Sequence, residues 1–181
     1  REGKRLGYTR IRLQTNGMML AYEAFVTRLV AAGLTEVSFS LKGPTADVHD
    51  AYAGTPGTFE LLEKGIANAL ATGLSLEADV LVYASNAALV PGTIRGFHAR
   101  GIARFRLWCF SAASSHDASL VSEVPRASDV VARLVEAMDM RLSDDPEWIV
   151  SLHTPPCTIP PSHRSASFDP AAYGLLVVNP G

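Results

Sequence analysis

Short extended runs and amphipathic runs take turns along this chain, and that alternation limits its architecture more than any other feature. Residues 10–15 read RIRLQT, with Ile11 and Leu13 set between polar side chains at the period of a strand. Residues 21–33 follow as a helix, with Tyr22, Phe25, Val26, Leu29 and Val30 on one stripe and Gly33 to end it. Further strands are predicted at 36–41 (EVSFSL), 76–83 (LEADVLVY), 104–110 (RFRLWCF), 148–153 (WIVSLH) and 174–178 (GLLVV). Helices at 58–73, with Thr58 as the N-cap, at 92–101 and at 128–142 separate them. Strand–helix–strand units of this length make a parallel sheet, because a parallel neighbour is reached only through a crossover.

The strands themselves narrow the choice between an open sheet and a barrel. Strands covered by helices on both faces are apolar on both. Here Val37, Phe39 and Leu41 alternate with Ser38 and Ser40, and Ile11 and Leu13 alternate with Arg10, Arg12 and Gln14. Phe105, Leu107 and Cys109 alternate with Arg104, Arg106 and Trp108. One face packs on helices. The polar face is either the lumen of a wide or incomplete barrel or the solvated side of edge strands. Ligands of α/β folds sit at the C-terminal ends of the strands. The residues to watch are therefore Thr15-Asn16-Gly17, then 40–43, Ser85-Asn86, 109–111 and 153–157.

Composition excludes several classes. A chain of 181 residues, 48% hydrophobic, buries one sizeable core. A net charge of −2 with no basic face argues against nucleic-acid binding. No apolar run is long enough to span a bilayer as a helix. Two cysteines, Cys109 and Cys157, are too few for a disulfide framework or a self-contained metal site, and a cytoplasmic setting is the default. Cys109 shares its phase with Phe105 and Leu107 and is expected against helices. The segment 151–164 carries His153, Cys157 and His163 among prolines; Cys157 is the candidate for an auxiliary metal ligand, although the spacing matches no standard zinc pattern. Trp108 and Tyr83 lie near strand ends and could line a substrate pocket, with core packing the expected role. Taken alone, Thr-Asn-Gly reads as a turn.

The order and spacing of three stretches carry more. GYTRIRLQTNGMML, GLTEVSFSLKGPTADVHDAYAGTPGTFELLEKGIANAL and DVLVYASNAAL resemble the middle of the radical S-adenosylmethionine (radical SAM) superfamily, over residues 6 to about 110. That resemblance implies a parallel β/α partial TIM barrel with its N-terminal strands missing. Residues 1–154 would be the C-terminal two-thirds of a (β/α)₆ barrel, and 155–181 a Pro-rich loop with a terminal strand. It implies reductive cleavage of S-adenosylmethionine at a [4Fe-4S] cluster, giving a 5′-deoxyadenosyl radical that abstracts hydrogen from a substrate. The cluster's CxxxCxxC motif and the following glycine-rich motif are not in this sequence and are expected before Arg1, where REGKRLGYTR reads as the end of a helix. The chain alone is then expected to be inactive.

The resemblance assigns residues as well. Thr15, Asn16 and Gly17 would meet the cofactor after the first strand here. Ser40 matches the serine of the family's Ser-Leu-Asp-Gly pattern, and Lys42 replaces its aspartate, facing either a carboxylate or solvent. Asn86 matches a position that contacts the ribose, or forms a turn. His49 and Asp50 match the family's His-Asp pair, with Asp50 expected to order its loop. No catalytic residue is assigned. The substrate is a peptide or a small molecule, the electron donor is external, and neither nucleic acid nor membrane is expected as a partner. Two other readings stay open: a redox-neutral TIM-barrel lyase or aldolase, for which only Lys42 offers a strand-end lysine, and a degenerate barrel used for binding.

Overall fold

The computed structural model describes residues 1–112 and 118–168, so the strand expected at 174–178 lies outside the described residues. Five strands form one sheet: β1 Arg12–Thr15, β2 Glu36–Leu41, β3 Ser75–Val82, β4 Arg104–Cys109 and β5 Ile149–Ser151. Their spatial order is their chain order, and every neighbouring pair is parallel. A short α1, Glu2–Arg5, precedes the sheet. Helices α2 Glu23–Ala31, α3 Ala46–Ala53, α4 Thr58–Ala71, α5 Val90–His98 and α6 Ala127–Asp139 make the crossovers. This is the expected α/β architecture, a run of successive β/α units that fits a partial barrel.

Alternation divides the sheet into two unlike faces. Val37, Phe39, Leu41, Ala78, Val80, Phe105, Leu107 and Ile149 are buried under the helices. They pack on Leu62 and Ile66 of α4, Ile94 and Phe97 of α5, and Leu134 of α6 in one continuous core. Cys109 joins the edge of this core, as its phase predicts. The opposite face carries Arg12, Gln14, Ser38, Glu77, Asp79 and Arg106. Burial of the apolar face stabilises the fold at about 25 cal/mol per Å²; the polar face must be satisfied by its own partners.

Two local expectations need correction. Residues 46–53 form a helix, α3, where only a loop was expected around His49 and Asp50. Its apolar positions are few, and it is held by tertiary contact: His49 is buried edge-on to Phe59 at 5.7 Å. Nor is Thr58 the N-cap of α4. Gly57, at φ +82°, holds that position. Asp50 does the capping from a distance, accepting the Gly57 and Phe59 N–H groups at 2.6 and 2.8 Å and the Thr58 hydroxyl at 2.6 Å. A carboxylate facing the first turn of a helix satisfies donors that the helix itself leaves unpaired.

The turn after β1 is pinned to α4 by two glycines. Gly17 sits at φ +83°, and a Cβ there would meet Leu62 Cδ1 at 2.8 Å. Gly65, inside α4, faces the Gly17 carbonyl oxygen so closely that a Cβ would lie 2.5 Å from it. Alanine normally stabilises a helix interior relative to glycine by about 0.5–1 kcal/mol. Gly65→Ala is predicted to do the reverse, lowering stability by about 1–3 kcal/mol through overpacking. Urea denaturation measures it, and a stabilised variant would mean that the turn yields freely.

Candidate functional site

The polar face is organised around Asp79, which is 1% exposed. Its Oδ2 accepts from Gln14 Nε2 at 2.9 Å and from Ser38 Oγ at 2.7 Å. Its Oδ1 accepts from Arg106 Nε at 2.7 Å and Trp108 Nε1 at 3.0 Å. One carboxylate on β3 therefore ties together side chains of β1, β2 and β4. Glu77, one step back on the same face, is flanked by Arg12 at 2.8 Å and Arg106 at 3.0 Å. Neither guanidinium aims an N–H squarely at its Oε2, which is held by charge and not by an aligned hydrogen bond. Burying a carboxylate is costly unless it is paired, so the two arginines are as necessary to this face as the two acids.

Over this floor lies a cavity of about 400 Å³, bordered by Trp108, Leu152, His153 and Phe168. The expectation that Trp108 packs in the core fails. Its side chain belongs to the polar phase of β4, and it is 36% exposed at the cavity. Tyr83 is half-buried and stacks on Tyr52 of α3 at 5.0 Å.

A second recess, of about 180 Å³, opens at the C-terminal ends of β1 and β2, bordered by Asn16, Ser40, Lys42, His49 and Thr58. Ser40 stands opposite Asp79 in the β2–β3 register. Its hydroxyl has no protein partner among the described residues. Lys42 Nζ donates to the Tyr52 carbonyl at 3.4 Å. His49 Nδ1 accepts the Lys42 N–H at 3.4 Å, which leaves the ring proton on Nε2. Burial first, and then Lys42, push the His49 imidazolium pKa down, so the ring is neutral at the recess wall.

Three comparisons bear on this geometry. No family model matches the chain. It is 44% identical over 57 residues to the AdoMet-dependent heme synthase of Methanosarcina barkeri, which is 32% of this chain and 16% of that protein. It is 34% identical over 79 residues to the mycofactocin maturase MftC of Mycobacterium tuberculosis, 43% of this chain and 20% of that one. The solved structure of native anSMEcpe with bound AdoMet and Cp18Cys peptide matches with a TM-score of 0.62 at 16% identity, over 77% of this chain and 40% of that one. Over the matched residues the chain is similar to radical SAM proteins, which supports its reading as a fragment of one. The HMG-CoA lyase of Brucella melitensis matches at a TM-score of 0.51 and 14% identity, over 78% of this chain and 46% of that one. At such identities the two solved structures attest the fold alone. The chain spans a fifth or less of the length of the two curated relatives.

Within this fold the sequence-predicted residues fall into two groups. Ser40, Lys42 and Asn16 converge on the 180 Å³ recess. Thr15 and Asn86 have their hydrogen-bonding groups engaged by backbone. Thr15 Oγ1 accepts the Gly17 N–H at 3.1 Å, and Asn16 Oδ1 accepts the Met18 N–H at 3.2 Å. Asn86 is 3% exposed. Its Oδ1 accepts the Tyr83 N–H at 2.8 Å, and its Nδ2 donates to the carbonyls of Lys42 and Leu81 at 3.1 and 2.9 Å. It braces the strand ends on which Lys42 stands. Sequence reading passed over Glu77 and Asp79, because LEADVLV reads as a strand whose two acids carry no local motif. The available signal was their phase: both fall on the polar face, opposite the arginines of β4. Cys157 is exposed, and His163 Nε2 is 3.1 Å from Asp139 Oδ1. Among the described residues, no three His, Cys, Asp or Glu side chains are grouped to hold a metal ion. Nor, among them, is any helix long and apolar enough to cross a membrane.

Two predictions follow from these placements. Asp79→Ala leaves Arg106 short of a partner in a buried site and should lower stability by about 3–5 kcal/mol; urea denaturation with a matched Gln14→Ala control measures it, and a loss no larger than the control's would remove Asp79 from its central place. The cysteines should differ in reactivity. Burial holds the Cys109 thiol pKa above its ordinary value, while Cys157 is exposed. Iodoacetamide followed by mass spectrometry should therefore label Cys157 first in the folded chain.

Proposed function

We propose that this chain forms the cofactor- and substrate-facing part of a radical SAM enzyme, with the 180 Å³ recess holding the polar half of S-adenosylmethionine. The observation that carries the reading is Ser40: a half-buried hydroxyl without a protein partner, beside Lys42 and Asn16, at the C-terminal ends of parallel strands. The methionine carboxylate and ribose hydroxyls of S-adenosylmethionine call for a cation, a hydroxyl and an amide, and this donor set fits them. Lys42 would face the carboxylate. Ser40 and Asn16 would hydrogen-bond the polar atoms. Thr15 and Gly17 would shape the turn, and Asn86 would hold Lys42 in place through its carbonyl.

The cluster is a different matter. Two cysteines, one of them packed against the core, do not fit a [4Fe-4S] centre that needs three thiolates at close spacing. Its ligands would come from outside these residues, and no step is assigned to it here. When bound, cluster and cofactor together supply a carbon radical that takes hydrogen from a substrate. What these residues contribute is orientation and exclusion of water: a neutral His49 wall, a braced rim and a self-neutralised lumen. A peptide is the finer substrate reading. It is supported by the likeness to a maturase and by the peptide in the anSMEcpe structure. An external electron donor and a cytoplasmic setting complete the proposal.

Ser40→Ala and Lys42→Met should each weaken S-adenosylmethionine binding by about 5- to 100-fold in the protein with its cluster reconstituted, the range for an unpaired buried polar partner. Calorimetric titration measures the affinity, with iron content unchanged as the control. Wild-type affinity in both variants would remove the recess from cofactor binding.

A further inference from the structure

The lumen cavity bordered by Trp108 and His153 is separate from the recess assigned to the cofactor, and its chemistry is unusually restricted. Its floor has little hydrogen-bonding capacity to spare. Asp79 already accepts four hydrogen bonds. Arg12 and Arg106 are paired with Glu36, Glu77 and Asp79. A charged ligand would have to break those pairs to gain a partner. The walls are Trp108, Leu152 and Phe168, which favour an apolar or aromatic surface. Two acceptors without a protein partner border the cavity among the described residues: Gln14 Oε1 on the floor and His153 Nε2 among the apolar walls. His153 stands edge-on to Trp108, with ring centroids 5.3 Å apart, and its Nδ1 lies 3.2 Å from the Cys109 carbonyl oxygen. A carbonyl only accepts, so Nδ1 carries the proton and Nε2 presents a bare lone pair.

Resting on the enzyme reading above, we propose that this cavity is the substrate subsite and that it takes an uncharged aromatic or alkyl group ending in one O–H or N–H donor, which His153 Nε2 accepts. Selection works by elimination. Charged groups are excluded by the satisfied floor. Purely apolar groups leave Nε2 without a partner, which costs affinity. The tether from Nδ1 to the β4 backbone fixes the ring, so the acceptor is in place before anything binds.

The test uses the full chain without cofactor or cluster, in mildly basic buffer. Para-cresol, para-methylanisole and para-toluate are titrated while the Trp108 indole N–H resonance is followed; the buried Trp148 serves as the internal reference. Para-cresol should bind about fivefold tighter than para-methylanisole, which has the same shape and no donor, and para-toluate should bind no better than the ether. His153→Phe should abolish the advantage of the phenol, and His153→Gln, which keeps an acceptor, should restore part of it. His153 is exposed, so both variants are expected to fold. Equal affinities for phenol and ether, an unchanged advantage in His153→Phe, strongest binding by para-toluate, or no shift of Trp108 with any probe would each overturn the proposal. None of these results depends on S-adenosylmethionine, so failure here and failure of the cofactor reading are told apart.

Discussion

A buried carboxylate must find partners, and Asp79 finds them on three other strands' worth of contacts at once. Gln14 reaches it from β1 across the whole width of β2. Arg12 reaches Glu77 across the same strand. Adjacent strands are about 4.8 Å apart, so long side chains two strands apart can meet over a strand that carries a small residue. Ser38 is that residue, and it joins the network itself at 2.7 Å. The polar face is thus held by its own network, while the apolar face is covered by helices.

The rim is rigid for separate reasons. The Thr-Asn-Gly turn is seated on α4 through Gly17 and Gly65, where there is no room for a Cβ. Asp50 joins the end of α3 to the start of α4 by accepting three hydrogen bonds. Asn86 ties β3 to the strand end that carries Lys42. Each device spends side-chain capacity on backbone, and what is left unspent marks the recess: the Ser40 hydroxyl and the Lys42 donors beyond the one given to the Tyr52 carbonyl. Pre-formed loops of this kind lower the ordering cost of binding a flexible ligand.

Chemistry and fold are therefore carried by different residues of the same strands. The apolar phase of β2 builds the core, and its polar phase places Ser38 in the network and Ser40 at the recess. On β4, Phe105 and Leu107 are core, Arg106 is network and Trp108 is cavity wall. A single-residue register slip would exchange the two sets, which is why a half-polar parallel strand is a strongly specified element.

The succession of strands and helices was legible in the sequence by itself. β2 was read to its ends, and α4, β3 and β4 were read to within one or two residues, because hydrophobic period and glycine stops are local properties. The polar phase of β1, β2 and β4 was legible too, and with it the expectation of a lumen. What tertiary structure alone decided was which polar residues are used up. Asn86 and Thr15 look as free in the sequence as Ser40 and Lys42; only the packed chain shows backbone groups filling the first two. Asp50 as a cap seven residues ahead of the N-cap Gly57, α3 as a helix made by the burial of His49, and Glu77 and Asp79 as the centre of the lumen depend on contacts beyond the local sequence. No local period encodes such contacts, since they exist only once strands distant in sequence are paired in register.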